Sequence, residues 1–175
     1  IAARQDTTAS LATKAALRAL APTRLEPPDI DLIIVATASP EHLFPATACL
    51  VQDTIGATRA GAFDLMAACS GFIFGVHMAA QAIETGAINS AIVIGSETLS
   101  RLVNWQDRST AILFGDGAGA FVLEARDTPG GVLAGVMRSD GSGGSLLEVP
   151  AGGSKLPASH ETVDRKQHLI QMNGR

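Results

Sequence analysis

The stretch FDLMAACSGFIFG, residues 63–75, sets Cys69 among small residues where an apolar strand-like run passes into an apolar helix-like run. The first N–H groups of a helix are unpaired and its peptide dipoles are aligned, so a cysteine at that end is well placed to act as a nucleophile. The same residue also reads as a small buried apolar side chain, since cysteine is among the most buried residue types. A nucleophilic cysteine needs a base or orienting partner within hydrogen-bond reach. His77 lies further along the same helical run, about 12 Å of rise away, and a regular helix keeps the two apart. His42 falls in a loop, and His160 and His168 follow a loop-rich stretch. No spacing singles out one of them, and a Cys–His hydrolase requires one within about 4 Å of the thiol.

A second motif, GDGAGA at residues 115–120, fits the loose GxGxxA pattern of dinucleotide sites. That chemistry requires the glycines to follow a strand and open a helix whose N-terminus holds the pyrophosphate. Here FVLEA follows, a strand-like run. Gly115, Gly117 and Gly119 are therefore expected to permit close backbone approach, with Asp116 bonding nearby N–H groups. The two cysteines, Cys49 and Cys69, are too few for a disulfide scaffold. With no CxxC and no His pair at ligand spacing, no metal site is expected.

The elements that must position Cys69 alternate in period. Residues 7–21, TTASLATKAALRALA, carry apolar side chains at helical spacing, with Thr7 or Thr8 as N-cap and Pro22 as the stop. Asp31 to Thr37, DLIIVAT, is a continuous β-branched run typical of a strand covered on both faces. After the loop SPEHLFPAT, residues 46–55 read as a helix ending at Gly56, and Ala62 to Met66 as a short strand. The next helix starts at the Cys69 stretch and runs to Gly86, SAIVIG at 90–95 is a covered strand, and residues 98–110 form a polar loop. GVLAGVM at 131–137 offers one more strand, before Ser, Gly, Pro and Lys dominate residues 139–160. Covered strands alternating with helices predict a layered α/β sheet. Residues 1–138 are expected to form this unit and 139–175 a loop-rich excursion.

Composition bounds the partners. The chain has 175 residues, 46% hydrophobic and 17% charged, enough for one ordinary domain or half of a larger one. A single tryptophan and no tyrosine give little for base stacking, and a net charge of -4 gives no global basic field, so no nucleic-acid partner is expected. No apolar run reaches the roughly 18–20 residues of a membrane span, and IAARQDTTAS lacks the order of a signal peptide, which predicts a cytoplasmic protein.

With the Cys69 stretch, GSETLSR at 95–101 and ILFGDGAGA at 112–120 in order, the chain resembles β-ketoacyl-acyl-carrier-protein synthase III of the thiolase superfamily, strongly from about residue 30 to 125. The resemblance implies a layered thiolase-like fold of which this chain covers most of the N-terminal half. It implies an acyltransferase of fatty-acid synthesis initiation, in which the cysteine matched by Cys69 is acylated by acyl-CoA, acetyl-CoA by expectation. The acyl group then condenses with the carbanion left when malonyl-acyl-carrier protein loses carbon dioxide. The CoA thioester is a substrate, and no cofactor is implied. By the same matching, Arg108 contacts the adenine-nucleotide end of CoA, Leu99 and Phe114 line the acyl pocket, and Phe44 crosses a homodimer interface to close the neighbouring pocket. The alternatives to these roles are an exposed loop arginine and ordinary core packing.

The family's catalytic histidine and asparagine are expected to fall beyond residue 175, and its first strand and adenine-stacking tryptophan before residue 1. This chain alone is thus expected to be inactive. Two further readings remain open: a related condensing enzyme or acyltransferase with another acceptor, and a noncatalytic dimerisation or binding fragment.

Overall fold

β1 (Leu32–Ala36) buries both of its faces, as its unbroken apolar run requires. Ile33 and Val35 join one cluster while Ile34 joins another. β3 (Ser90–Thr98) behaves alike, with Ile92 and Ile94 on the first side and Ala91 and Val93 on the second. Side chains alternate across a strand, so each strand faces two helical layers at once. In this computed structural model, residues 1–128 and 130–173 are described.

The first layer is α1 (Thr8–Leu20) with α2 (Thr47–Ile55), contributing Ala12, Ala16, Leu20, Ala48, Val51 and Ile55 to the cluster that holds Ile33 and Ile92. α1 begins where the sequence places it. Thr7 is the N-cap, its hydroxyl accepting from the Ser10 N–H while Ser10 Oγ accepts from the Thr7 N–H, a reciprocal capping box. α2 ends at Gly56, whose φ of 78° is the left-handed conformation that glycine adopts without steric cost. On the opposite face lies α3 (Gly71–Glu84), which sets Ala79 against Ile34 and Val93.

The strand order is β2-β1-β3-β4, with β2 spanning Gly61–Leu65 and β4 spanning Asp116–Glu124. β2 and β3 each pair parallel to β1, and β4 closes the sheet antiparallel to β3, from Ser90↔Glu124 to Thr98↔Asp116. Gly117 and Gly119 lie at the start of β4, with Gly115 just before it, and open no helix, so the dinucleotide reading falls; a Cβ at any of the three would meet nothing within 4 Å, so the expected close backbone approach is not found either. The expected strand at 131–137 is absent and that segment is irregular. Leu133, Val136 and Met137 remain exposed, so no apolar face is buried to offset the cost of ordering a strand there.

The chain divides into two compact units. The first holds Ile1–Thr98 and Asp116–Met137, and carries all the elements above. The second holds Leu99–Gly115 and the residues from Arg138 onward. It contains α4 (Arg108–Ala111), α5 (His160–Asp164) and a two-stranded ribbon of β5 (Leu147–Glu148) with β6 (Gln171–Met172). No helix among the described residues is long and apolar enough to cross a membrane.

Candidate active site

The three parallel strands β1, β2 and β3 end on one edge of the sheet, the edge where open α/β sheets place their ligands. Cys69 lies there. β2 ends at Leu65, and a 3-10 turn over Ala68–Ser70 leads directly into α3. Ala68, immediately before the cysteine, has φ +45°, a left-handed conformation that costs a non-glycine residue about 1–2 kcal/mol. Strain at a residue beside a reactive group is held only where the surroundings over-determine it. Here they do: a Cβ on Gly71 would meet Ala36 Cβ at 3.1 Å, and one on Gly75 would meet Val93 Cγ1 at 2.9 Å. The glycines bring α3 down onto β1 and β3, so the turn above has little room to relax. Cys69 is exposed and unbridged in these residues.

The edge is braced by a polar clamp that joins β1 to β3. The Glu97 carboxylate accepts from the Ala38 N–H at 2.8 Å, from Thr37 Oγ1 at 3.3 Å and from Ser39 Oγ. Ser39 Oγ in turn accepts from the Thr98 N–H at 2.9 Å, and Thr8 Oγ1 donates to the Ser39 carbonyl at 2.6 Å. Three donors on one carboxylate satisfy a partly buried charge that would otherwise be costly.

A second carboxylate, Asp64 on β2, reaches the N-terminus of α2. It accepts from the Thr47 N–H through Oδ2 and from the Ala48 N–H through Oδ1, both at 2.7 Å. The N-cap residue of α2, Ala46, has no side-chain acceptor of its own. Asp64 takes that role from a neighbouring strand, satisfying two N–H groups that the helix leaves unpaired. The loop entering α2 carries Phe44, 84% exposed and joined to Pro45 by a cis peptide bond. Its base is closed by the Glu41 N–H donating to Thr47 Oγ1 at 3.1 Å.

Of the histidines, His77 stands on α3 with its Nδ1 buried and without a hydrogen-bond partner, packed against Gly135. It is not a base for Cys69, as its place along the helix predicts. His42 is exposed on the Phe44 loop. Among the described residues no group of His, Cys, Asp or Glu is arranged to hold a metal ion.

Cys69 and Phe44 belong to the first unit, and Leu99, Arg108 and Phe114 to the second. Leu99, half-buried, opens a 3-10 turn over Leu99–Arg101, and Phe114 is half-buried just before β4. Arg108 is exposed at the first residue of α4, whose N-cap is Asp107. The Asp107 carboxylate accepts from Ser109 Oγ at 2.7 Å, Thr110 Oγ1 at 2.9 Å and the Ser109 N–H at 3.0 Å. These bonds, the Ser109 hydroxyl foremost, hold its pKa below the ordinary aspartate value. Trp105, two residues before this cap, donates its indole N–H to the Ser100 carbonyl at 3.2 Å.

The residues that sequence reasoning missed are Asp64, Glu97 and Ala68. For Asp64 a signal existed: a charged residue inside a short apolar strand, FDL, requires a partner. Neither the role of Glu97 nor the φ of Ala68 leaves a local pattern.

A layered α/β sheet with an exposed cysteine at the mouth of the helix that follows β2 defines a thiolase-like chain. The solved structures agree. A 2.1 Å crystal structure of a 3-oxoacyl-(acyl-carrier-protein) synthase III matches 99% of this chain with a TM-score of 0.91 and 31% identity, over 55% of that protein. The synthase III of Aquifex aeolicus matches 99% with a TM-score of 0.85 and 42% identity, over 51% of that protein. The family described as 3-oxoacyl-[acyl-carrier-protein (ACP)] synthase III matches residues 63–141. Among curated relatives, the β-ketoacyl-[acyl-carrier-protein] synthase III of Desulfitobacterium hafniense is 55% identical over 174 residues, 99% of this chain and 53% of that protein. Over nearly its whole length the chain is therefore similar to 3-oxoacyl-[acyl-carrier-protein] synthase III proteins. It spans about half the length of the curated relatives it matches.

Proposed function

We propose that Cys69 is the acyl-accepting nucleophile of a condensing acyltransferase that begins fatty-acid synthesis. The observation that carries this reading is the exposed cysteine on a strained turn at the N-terminus of α3, at the carboxyl edge of the parallel strands. The Cys69 sulfur attacks the carbonyl carbon of an acyl-CoA, the carbon–sulfur bond to CoA breaks, and CoA leaves as its thiol with the proton that Cys69 gives up. The helix N-terminus and the Cys69 N–H favour the negative charge that gathers on the carbonyl oxygen. Malonyl-acyl-carrier protein then loses carbon dioxide. The resulting carbanion attacks the acyl-cysteine, and the Cys69 sulfur departs and regains a proton.

In this reading Arg108 holds the nucleotide end of CoA, Leu99 and Phe114 bound the acyl group, and Phe44 reaches across a homodimer. The exposure of Phe44 and its neighbour Leu43, each 84%, suits a surface that a second copy covers. The partners are an acyl-CoA, malonyl-acyl-carrier protein and a second copy of the chain, and the setting is the cytoplasm. In this reading a histidine and an asparagine outside these residues assist condensation.

The test is the intact mass of the full-length polypeptide before and after incubation with acetyl-CoA and longer acyl-CoAs. One acyl adduct, mapped to Cys69 and lost in Cys69→Ala, is the expected result. An adduct that persists in the variant overturns the assignment.

A further inference from the structure

We infer that Phe72 is a positioning residue for Cys69: its ring, laid on the bare backbone of Gly95 and met edge-on by Phe121, fixes the first turn of α3 and with it the direction of the Cys69 thiol. This rests on the acyl-enzyme reading above. Phe72 is the second residue of α3 and lies three positions after Cys69. The turn between them is closed by hydrogen bonds. The Ser70 N–H donates to the Ala67 carbonyl at 3.1 Å and the Gly71 N–H to the Ala68 carbonyl, so Cys69 sits inside a turn that runs directly into the helix. An anchor at Phe72 is therefore felt at Cys69.

The anchor reaches across two strands. Gly95 of β3 carries no side chain where Phe72 crosses it: a Cβ there would stand 3.4 Å from Phe72 Cδ2, 3.8 Å from its Cβ and 3.9 Å from its Cγ. The ring thus rests on the strand itself, packed against the cluster that holds Ile34 and Val93. Beyond β3, Phe121 of β4 meets it with ring centroids 5.1 Å apart and planes at 76°, the edge-to-face arrangement that aromatic pairs favour. The register agrees, since Val93 pairs with Phe121 and Gly95 with Gly119 across β3 and β4. Gly71 and Gly75 set how closely α3 approaches the sheet. A side chain braced to one side instead resists rotation of the helix about its axis, and a rotation of about 10–20° takes a reacting group out of productive geometry. Phe121 is 59% exposed, so a change there weakens the brace with little cost to the core.

The experiment is a single-turnover measurement on the full-length polypeptide, with acetyl-CoA at saturation and the Cys69 adduct followed by mass. It compares wild type, Phe72→Leu, Phe121→Leu, the double variant and Phe121→Tyr. Two quantities are read: the fraction of protein that reacts, and the rate constant of the fraction that does. Loss of folded protein lowers only the fraction, whereas loss of aim lowers the rate constant. Phe121→Leu is expected to lower the rate constant by about three- to tenfold, with the worth of an aromatic pair as the ceiling. Phe121→Tyr, which keeps the ring and can point its hydroxyl to solvent, is expected to retain the wild-type rate constant. Phe72→Leu is expected to lower it by about tenfold or more. In that background Phe121→Leu is expected to add little, because the ring it braces is gone. Rate constants unchanged by both leucine substitutions, a loss confined to the reacting fraction, or a Phe121→Leu effect equal in both backgrounds overturns the proposal and leaves the acyl-enzyme reading intact. Wild type that forms no Cys69 adduct with acetyl-CoA or longer acyl-CoAs overturns both. Should Phe72→Leu yield no folded protein, Phe121→Leu against Phe121→Tyr decides: equal rate constants in the two overturn the proposal.

Discussion

Gly75 of α3 rests directly on Val93 of β3: a Cβ at position 75 would lie 2.9 Å from Val93 Cγ1 and 3.4 Å from Ile34 Cγ2. Val93 and Ile34 are fully buried and β-branched, so neither side chain has space to turn aside. In Gly75→Ala the overpacking cost of about 1–3 kcal/mol is partly offset by a helix-propensity gain of about 1 kcal/mol. Gly75→Val sets two more methyl groups than alanine against the same wall and gains less from helix propensity. Thermal unfolding of the full-length polypeptide is expected to show a small loss for alanine and a loss several times larger for valine. Equal unfolding temperatures for the three proteins would show that α3 is not seated by this contact. Because α3 begins two residues after Cys69, the valine variant is also expected to acylate slowly.

Ala68 is the place where strain meets the nucleophile. Glycine adopts its φ of +45° without the roughly 1–2 kcal/mol penalty of an L-residue, but adds about 0.4–1 kcal/mol of unfolded-state freedom. Ala68→Gly is therefore expected to be as stable as wild type or slightly more so. The turn that aims Cys69 becomes looser, and acylation by acyl-CoA is expected to slow while unfolding temperature holds or rises. Acylation at the wild-type rate in a stabilised variant would mean that the alanine contributes nothing to the aim.

Local chemistry was legible in the sequence and distant chemistry was not. Thr7 capping α1, Gly56 ending α2 and the strand character of FVLEA all follow from signals within a few residues, and the structure has each of them. Cys69 was legible as lying at a helix N-terminus for the same reason. The strand expected at 131–137 failed because a strand exists only with a partner, and its apolar residues found no surface to cover. Asp64 reaches across 17 positions to Thr47, and Glu97 across 59 to Ala38. Such pairings are created by the order of strands in the sheet, which no short window contains.

Glu97 illustrates the cost of losing such a pairing. Its carboxylate takes one backbone N–H and two hydroxyls, all from the segment that follows β1. Glu97→Gln keeps the shape but offers a single acceptor, and Glu97→Ala leaves three donors to find water. Losses of about 1–3 kcal/mol are expected for glutamine and larger ones for alanine, in denaturant unfolding of the full-length polypeptide. Because Ser39 and Thr98 share the network, Ser39→Ala should cost less in the Glu97→Gln background than alone. Strict additivity of the two would show that they do not act as one unit.

Asp107 gives the pH dependence of the short helix that Arg108 opens. Its carboxylate is held below the ordinary aspartate pKa by the Ser109 hydroxyl first, then by the Thr110 hydroxyl and the Ser109 N–H. A depressed carboxylate stabilises the fold above its unfolded-state pKa, and that contribution fades as the pH falls through the lower folded-state value. The cap on α4 should therefore survive at neutral and mildly acidic pH and open only in strong acid. Carbon-detected NMR titration of the Asp107 carboxyl is expected to give a midpoint below that of an unstructured aspartate. Ser109→Ala removes the largest cause and is expected to move the midpoint upward, more than Thr110→Ser, which keeps its hydroxyl. A midpoint at the ordinary value in wild type, or one that Ser109→Ala leaves in place, would show that this cap does not hold the turn from which Arg108 extends.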